Sequence, residues 1–395
     1  MNILVVNAGS SSLKYEVFTV EDNVYTSVAE GLVERIGESV GAITMKLNGN
    51  KDKQERTFAD HKEALAAVLD HLGEHGLVDD LAVVGHRMVH GGEEYTKPTQ
   101  VTEEILKDLD KLSPLAPLHN PPCITGVRAA MELRGDVPHV IVFDTAYHAT
   151  LAEDAYRYAV PKEWYTNHGV RRYGFHGTSH KYVANTAVRE LGLDPNNHKV
   201  ITAHLGNGAS ITAIKDGKSI ETSMGLTPLE GLVMGTRSGN IDPAIPFYIM
   251  RQTGMSAQEA EDALNRQSGL KGVCGDNDAR AVEERADSGD ADAKLALDLF
   301  AHRVRGYIGE YSAHLGGLDA IVFTGGIGEN SATMRAAILE PLAHMGIEID
   351  PARNDVREFN EAGTRVISTG AVKVIVVLTQ EQEQIARESV ELLGL

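Results

Sequence analysis

Short apolar runs alternate with longer amphipathic segments along this chain. Residues 2–6 are uniformly apolar except at the first position, as in a strand buried on both faces, and the alternation of apolar and polar residues from Leu13 to Val20 predicts a half-buried strand. Helical spacing of apolar residues predicts amphipathic helices over 60–78 and 291–315. Five further apolar runs predict buried strands at 81–84, 139–143, 199–203, 320–323 and 372–378. Strands that alternate with helices indicate an α/β protein.

Two stretches of the chain share one pattern of strand, glycine-containing turn, strand, tight turn and strand. The first begins at residue 5 and the second at residue 202, with Gly9 and Gly206 in equivalent places. Chance similarity between two hairpins is one explanation. We favour a duplicated domain with a ligand cleft between the copies, because each copy opens with a turn suited to phosphate. The expected domains are residues 1–148, joined by a C-terminal helix at about 384–395, and residues 149–383.

Three polar, glycine-containing loops each follow an apolar strand, at 7–12, 204–210 and 324–330. Glycine lets the backbone approach a ligand closely, so that successive N–H groups point at phosphate oxygens. A single loop of this kind is most simply a turn, whereas three favour a nucleotide site. The dinucleotide-binding motif GxGxxG fails, because its third glycine would fall on Ile211. The P-loop motif GxxxxGK[ST] also fails. Gly217-Lys218-Ser219 matches its end, but Thr212 occupies the position of its first glycine, and the tripeptide lies in a predicted hairpin turn.

Charge and composition narrow the classes of partner. The chain has 395 residues, 37 basic and 56 acidic, and a net charge of −19, which disfavours nucleic acids and anionic membranes. An anionic substrate would therefore need a locally basic site. Two cysteines, Cys123 and Cys274, fit a reducing cytoplasm and build no disulfide framework. We find neither a secretory signal pattern nor an apolar run long enough to cross a bilayer, and the length suggests two domains.

Charged residues near predicted strand ends are candidates for chemistry. Arg87 follows a strand and can bind a carboxylate or phosphate with both arms of its guanidinium, although a structural ion pair is the simpler explanation of a lone arginine. Asp144 ends another strand, where α/β proteins place ligands; the alternative is a helix cap. Arg237 lies between Gly235 and Gly239, which allow a loop with unusual backbone angles.

Two histidines four residues apart, His176 and His180, raise the question of a zinc site. Glycine occupies position 177, where the HExxH motif needs glutamate, and it argues against a helix through His176. We therefore expect Thr178 or Ser179 to cap a helix that begins there. His176 would lie in the preceding loop as a hydrogen-bond donor to a phosphate.

Two acidic segments are ambiguous. Residues 379–384 (TQEQEQ) offer Glu381 or Glu383 to a metal, but the first turn of a helix also favours acidic residues. The stretch 276–292 does not fit a calcium loop, because Arg280 and Ala281 occupy its fifth and sixth positions. We interpret it as a solvated helix face whose front edge lies near a nucleotide.

The motifs together resemble the acetokinase family of the actin-like and sugar-kinase superfamily, over essentially the whole chain. They are NAGSSSLKY (7–15), GHRMVHGG (85–92), LAPLHNPP (115–122), FDTAYH (143–148), YGFHGTSH (173–180), HLGNG (204–208), MGTRSG (234–239) and TGGIGEN (324–330). One such string would be weak evidence, but the whole set in order is specific.

The resemblance implies a duplicated ribonuclease-H-like fold, as in actin-like ATPases, with the active site in a cleft between the copies. It implies reversible, direct in-line transfer of a phosphoryl group from ATP to acetate, giving acetyl phosphate and ADP. It further implies Mg²⁺, or Mn²⁺ in its place, a homodimer and a cytoplasmic location. Helix 291–315 is a guess for the dimer interface.

The resemblance also assigns roles by position. Asp144, His176, Arg237 and Arg87 would be catalytic, and Arg87 would also hold the substrate carboxylate. The apolar substrate pocket would consist of Val89, Leu118, Phe175 and Pro228. ATP would contact Lys14, His204, Leu205, Gly206, Asn207, Gly208, Asp278, Ala279, Arg280, Gly326, Ile327, Gly328, Glu329 and Asn330. Asn7 and Glu381 would bind the metal.

Several alternatives stay open at this point. The family usually reads TNEE where this chain reads TQEQ at 379–382, so Glu383 could replace Glu381 at the metal. Asp144 is the family's catalytic carboxylate, but acetate is ionised at pH 7 and has no proton to lose, so we expect Asp144 to orient other groups. A propionate or butyrate kinase would share these motifs. A nucleotide-gated binding protein of the same superfamily would have no need of the two arginines.

Overall fold

A computed structural model describes residues 1–47 and 49–395 of the chain. It divides into two compact units. Unit 1 comprises Met1–Tyr147 together with Gln380–Leu395, and unit 2 comprises His148–Thr379. Within the described residues, no helix is both long enough and apolar enough to cross a membrane.

Unit 1 is an eight-stranded sheet with helices on both faces. Its elements in chain order are β1 Asn2–Ala8, β2 Ser12–Glu21, β3 Val24–Glu34, β4 Ala42–Leu47, β5 Asn50–Glu55, α1 His61–Glu74, β6 Leu81–Met88, β7 Thr99–Gln100, α2 Glu103–Leu112, α3 Asn120–Leu133, β8 His139–Phe143 and, at the end of the chain, the C-terminal helix Glu381–Leu393. The strand order is β5-β4-β3-β2-β1-β6-β8-β7.

The alternation of side chains along β1 explains why this strand is apolar at nearly every position. Leu4 and Val6 pack with Leu65 and Val68 of α1 on one face of the sheet. Ile3 and Val5 pack on the other face with residues 385–390 of the C-terminal helix. Successive side chains of a strand point to opposite faces, so a strand covered on both sides has no solvent-facing position.

Unit 2 repeats this architecture with a six-stranded sheet. Its elements are α4 Glu153–Tyr156, α5 Lys162–His168, α6 Gly177–Glu190, β9 Lys199–Leu205, β10 Ala209–Lys215, β11 Lys218–Thr222, α7 Ile245–Thr253, α8 Ala257–Arg266, α9 Gly269–Cys274, α10 Ala279–Asp287, α11 Ala291–Leu315, β12 Ala320–Thr324, α12 Gly325–Asn330, α13 Ala332–Leu339, α14 Pro351–Asp355, β13 Thr364–Val366 and β14 Lys373–Val377.

The two sheets have the same topology. The order β3-β2-β1-β6-β8-β7 in unit 1 corresponds strand by strand to β11-β10-β9-β12-β14-β13 in unit 2. In each sheet the first strand pairs antiparallel with its hairpin partner and parallel with a later strand, and an antiparallel strand closes the far edge. The predicted α/β class and the duplication are therefore confirmed.

Several element boundaries differ from those expected. Strands β1 and β9 extend to Ala8 and Leu205, because their last residues still pair with the returning strands, so the turns that follow are shorter than predicted. Helix α1 ends at Glu74 and not at residue 78 as predicted, because the chain leaves the helix there and Gly76 takes a left-handed conformation. Residues 325–330, expected as a loop, form the short helix α12.

Candidate functional site

Unit 1 holds a two-armed ion pair between Arg87 and Asp144. Arg87 lies within β6, not after its end as the sequence suggested, and Asp144 directly follows β8, the parallel neighbour of β6. The distances are 3.0 Å from Arg87 Nε to Asp144 Oδ1 and 2.5 Å from Nη2 to Oδ2. Asp144 is almost fully buried, whereas Arg87 keeps about a quarter of its side chain exposed (24%). Both carboxylate oxygens of Asp144 therefore hold the guanidinium of Arg87.

A third charged residue, Glu381, acts on this pair. Burial raises the pKa of Asp144, Arg87 opposes that rise, and the negative charge of Glu381 adds to it. Burial alone would lower the pKa of Arg87, but Asp144 and Glu381 outweigh it and raise the pKa. Both effects require Glu381 to lie close to the pair. Glu383 instead accepts hydrogen bonds of 2.9 and 2.6 Å from Arg387.

Of the remaining predicted residues of unit 1, two lie on strands of the first hairpin and two lie in loops. Asn7 on β1 is half-buried and stands opposite Lys14 of β2, which is exposed. Val89, directly after β6, is buried, and Leu118 is exposed. Asn7 and Lys14 thus face each other across the end of the first hairpin, next to the turn at Gly9.

In unit 2, His176 is held rigidly at the start of α6. Its backbone is in the left-handed region, with φ at 56°, and it occupies the position before the first helical residue, Gly177. Its Nδ1 lies 2.9 Å from the Ser210 hydroxyl, and its ring stacks on His204 at 4.4 Å between centroids. A bulky residue with positive φ is an uncommon, strained conformation, and such strain is concentrated at functional sites.

The expected capping of this helix was wrong. Ser179 lies inside the first turn, where its hydroxyl bonds His204 Nδ1 at 2.8 Å and Thr379 Oγ1 at 2.9 Å. His180 is buried and bonds Thr202 and the same Ser210 hydroxyl at 2.7 Å each. His176, His180 and His204 are thus joined through the hydroxyls of Ser210 and Ser179 in one hydrogen-bond network. Among residues 1–47 and 49–395, no group of three or more His, Cys, Asp or Glu side chains is placed to hold a metal ion.

Arg237 reaches the same place from the loop after β11. Its Nη1 donates to the Pro228 carbonyl at 3.3 Å, and burial lowers the pKa of its guanidinium. A Cβ atom placed on Gly208 would stand 3.5 Å from Arg237 Nη1 and 3.7 Å from His176 Nε2. The turn between β9 and β10 therefore lies in contact range of both side chains. Phe175, next to His176, is buried, and Pro228 is half-buried.

A cavity of about 800 Å³ in unit 2 brings three predicted nucleotide segments together. Of the residues predicted for ATP, it is lined by Gly206, Asn207, Asp278, Ala279, Arg280, Gly326, Ile327 and Asn330. The other predicted residues of unit 2, His204, Leu205, Gly208, Gly328 and Glu329, are outside this lining. Leu205 belongs to the buried core, and the Glu329 carboxylate accepts the N–H groups of Gly325 and Thr379.

Sequence reasoning missed part of the cavity wall. Asn277, Glu283, Glu284, Asp287, Ser331 and Arg357 also line it. The acidic residues belong to one face of α10, which the sequence indicated only as a solvated helix. At the start of α10, Asp278 caps the helix and binds Arg280 with both carboxylate oxygens, which lowers the pKa of Asp278 to about 2.

Comparison with known proteins shows the family of this chain. The model of the acetokinase family matches residues 2–387. An acetate kinase of Carboxydothermus hydrogenoformans is 49% identical to this chain, over 99% of each chain, and one of Oceanobacillus iheyensis is 48% identical over 100% of this chain and 99% of its own. The chain belongs to the acetokinase family, and the resemblance carried by its motifs is confirmed.

Solved structures show the same likeness in three dimensions. The crystal structure of Porphyromonas gingivalis acetate kinase matches with a TM-score of 0.93 and 40% identity, over 99% of both chains. That of a propionate kinase from Francisella tularensis matches with a TM-score of 0.91 and 42% identity, over 98% of both. Similarity of this extent covers both units. It does not distinguish an acetate kinase from a propionate kinase, because the two structures match almost equally well.

Proposed function

We propose that this chain is a kinase that transfers the terminal phosphoryl group of ATP to the carboxylate of acetate. The observation that carries the proposal is the turn between β9 and β10. Gly206 and Asn207 line the large cavity, while Gly208 lies in contact range of His176 and Arg237. A nucleotide in the cavity would thus have a cation and a second nitrogen donor near its phosphates. Such positioned charge is the main requirement of phosphoryl transfer.

The residues of unit 1 suit the acceptor. Arg87 is fixed by Asp144 and keeps part of its guanidinium exposed, so it can bind a small carboxylate. One acetate oxygen would attack the terminal phosphorus, forming the new P–O bond as the bond to the leaving ADP oxygen breaks. Acetate is already ionised near pH 7, so this step needs no base. Both oxygens of Asp144 are engaged by Arg87, which supports an orienting role.

We include Mg²⁺ in the proposal. Mg²⁺ is usually held by one or two carboxylates together with waters and substrate phosphates, so a full cluster of protein ligands is not required. Glu381 and the amide of Asn7 offer the oxygen donors that it prefers, and Glu381 lies close enough to Asp144 to raise its pKa. Bound Mg²⁺ would neutralise charge on the phosphates. Mn²⁺ prefers the same donors.

Further parts of the proposal concern organisation and location. Units 1 and 2 would be the two domains, and the cleft expected between them stays a prediction. A homodimer is supported by apolar side chains exposed on α7, namely Ile245, Phe247, Tyr248 and Ile249. A cytoplasmic location is supported by two free, buried thiols, Cys123 and Cys274. The acidic net charge disfavours nucleic acid and membrane partners.

A hydroxylamine trap tests the reaction. The protein, MgATP and acetate, propionate or butyrate would be incubated in parallel, and the hydroxamate formed from any acyl phosphate would be measured. We expect the strongest signal with acetate, with a modest decline for each added methylene, of about 10-fold or more. A maximum with propionate would instead support the second candidate, which the likeness to the Francisella propionate kinase favours. Nucleotide binding without any acyl phosphate would contradict both and favour a nucleotide-gated binding protein.

A further inference from the structure

A second, smaller cavity of unit 2 is lined by three arginines. It has a volume of about 140 Å³ and is bounded by Arg335 of α13, Arg357 and Arg365 of β13, together with residues at the ends of α12 and α14. A water molecule occupies about 30 Å³ in the liquid, so the space exceeds that of a single water. It is large enough for an anion of five heavy atoms.

Arg365 brings a charge into this cavity, and in the part of the chain that the structure describes it has no salt-bridge partner, although the negative charge of Glu358 acts on it. Its side chain is 9% exposed, and the guanidinium carbon lies 4.7 Å from the ring centre of Phe359. Nη2 donates to the Glu329 carbonyl at a long 3.3 Å, while Nε and Nη1 are buried and have no hydrogen-bond partner. A buried guanidinium normally has its donors satisfied, because an unpartnered buried charge is costly.

The neighbouring guanidinium adds positive charge. Arg335 is almost fully buried, and its donors go to neutral oxygens of Asn354, Gly328 and Glu329 at 2.7 to 3.1 Å. Burial, and after it the nearby charge of Arg365, lowers the pKa of Arg335 to about 10. Burial also lowers the pKa of Arg365. Two guanidinium groups are therefore held close together. Glu283 and Asp355 offset part of the charge of Arg335, and Glu358 offsets part of that of Arg365, but a bound anion would reduce the repulsion between the two arginines further.

The carboxylates in the cavity wall do not neutralise Arg365. Glu329 accepts hydrogen bonds from Gly325, Thr379 and Thr324, which hold its carboxylate. Glu283 accepts a hydrogen bond from the Ser331 hydroxyl, and its charge acts on Arg335 rather than on Arg365. The negative charge of Asp355 raises the pKa of Arg335 but does not affect that of Arg365. An entering anion would thus meet Arg365 with its donors still available.

We propose that this cavity is a binding site for one small inorganic oxyanion, such as phosphate or sulfate, with Arg365 as its main ligand. The site would lie beside the nucleotide cavity, since Asn330, Ser331 and Arg357 line both. It would be separate from the reacting phosphates, because neither His176 nor Arg237 belongs to its wall. The proposal does not depend on the proposed reaction, since the site can be tested without nucleotide.

The test is calorimetric titration of inorganic phosphate into the full chain at constant ionic strength, without nucleotide. We expect one phosphate per chain, and affinity at least about 10-fold weaker for Arg365→Gln, because hydrogen bonds to a charged group are lost. Arg365→Lys keeps the charge with fewer donors and should also weaken binding. Arg189→Gln is the matched control, since it removes an exposed charge of α6, and should bind as the wild type does.

Thermal unfolding is a second, independent measurement. It also shows whether a variant that binds no phosphate is still folded. Phosphate should raise the Tm of the wild type and of Arg189→Gln but not of Arg365→Gln, which must itself unfold cooperatively. No heat and no change in Tm up to about 10 mM phosphate would overturn the proposal. So would equal binding by wild type and Arg365→Gln. Binding abolished by saturating ADP and unaffected by Arg365→Gln would assign the anion to the large cavity and overturn it as well.

Discussion

Glu381 and Glu383 lie two residues apart in the first turn of the C-terminal helix but face different partners. Glu381 acts on the Arg87–Asp144 pair, whereas Glu383 binds Arg387. Residues two apart on a helix do not share a face, so only one of the two can reach the strand ends of unit 1. The sequence alone left these two glutamates as alternatives for the metal.

The first prediction uses this pair as test and control. Glu381→Gln removes a charged oxygen ligand and should raise the Mg²⁺ concentration needed for half-maximal activity by about 10-fold or more, in line with losses of single metal-site groups. Glu383→Gln has the same change of charge and size and should leave the Mg²⁺ requirement within about 2-fold of the wild type. A Mg²⁺ titration of activity measures both. The reverse ranking would assign the metal to Glu383.

The second prediction concerns Asp144. Asp144→Asn leaves the partly exposed Arg87 without the carboxylate that holds its guanidinium, so we expect a loss of about 100-fold in kcat/KM and of about 3 kcal/mol in the free energy of unfolding. Asp136→Asn breaks a similar two-armed pair with Arg134, at 2.8 Å, in which the carboxylate is exposed. This change should cost less than about 1 kcal/mol and leave the activity unchanged.

The pH profile of Asp144→Asn separates orientation from base catalysis. If Asp144 only orients Arg87, higher pH restores no activity, because acetate has no proton to remove. Recovery of kcat/KM at higher pH would show that Asp144 acts as a general base.

The third prediction concerns Ser210, which bonds both His176 and His180. Ser210→Ala removes this bridge and should lower kcat by about 10-fold, with KM values for ATP and acetate near those of the wild type, because His176 would lose its orientation. Ser312→Ala is the control: its buried hydroxyl donates to the Ile308 carbonyl of its own helix and has no other hydrogen bond to the described residues. Equal losses in both variants, or a change in KM alone, would exclude a positioning role.

The fourth prediction concerns the close approach of Gly235 to Asn207. A Cβ atom at position 235 would stand 1.9 Å from the Asn207 side-chain oxygen, so Gly235→Ala must displace a residue of the large cavity. We expect ADP to bind about 10-fold more weakly in calorimetry. Gly306→Ala in α11 meets no atom within 4 Å and should bind ADP normally, with about 0.5–1 kcal/mol more stability. Unchanged ADP affinity in Gly235→Ala would place the nucleotide elsewhere.

The fifth prediction concerns pH and stability. Burial lowers the pKa of His148 to about 4, and it also lowers the pKa of His86, His139 and His180. Between pH 4 and the unfolded value near 6.5, the unfolded chain binds protons that the folded chain does not. Stability is therefore complete above about pH 6.5 and is lost as pH falls towards 4. His148 alone accounts for about 3 kcal/mol.

Urea unfolding at several pH values measures this dependence. The loss between pH 7.5 and 5 should be smaller in His148→Asn, even though that variant starts from a lower stability. A pH dependence equal to that of the wild type would show that His148 does not contribute to it.

The sequence by itself determined the α/β class, the duplication and the family, because these follow from apolar periodicity and from short motifs that are local in the chain. It also placed α11 at 291–315, where a long amphipathic pattern leaves little ambiguity. Local patterns could not show that Arg87 lies within β6, since strand pairing, and not composition, sets the end of a strand.

Only the tertiary structure decided which polar residues meet. Three features depend on side chains brought together from distant parts of the chain. They are the pairing of Arg87 with Asp144, the separation of Glu381 from Glu383, and the guanidinium of Arg365, of which two nitrogens have no hydrogen-bond partner. Their energies arise from burial and from charges a few ångströms away, and neither exists until the strands are paired and the helices packed. A motif names the residues, but the packed fold determines their charge state and their orientation.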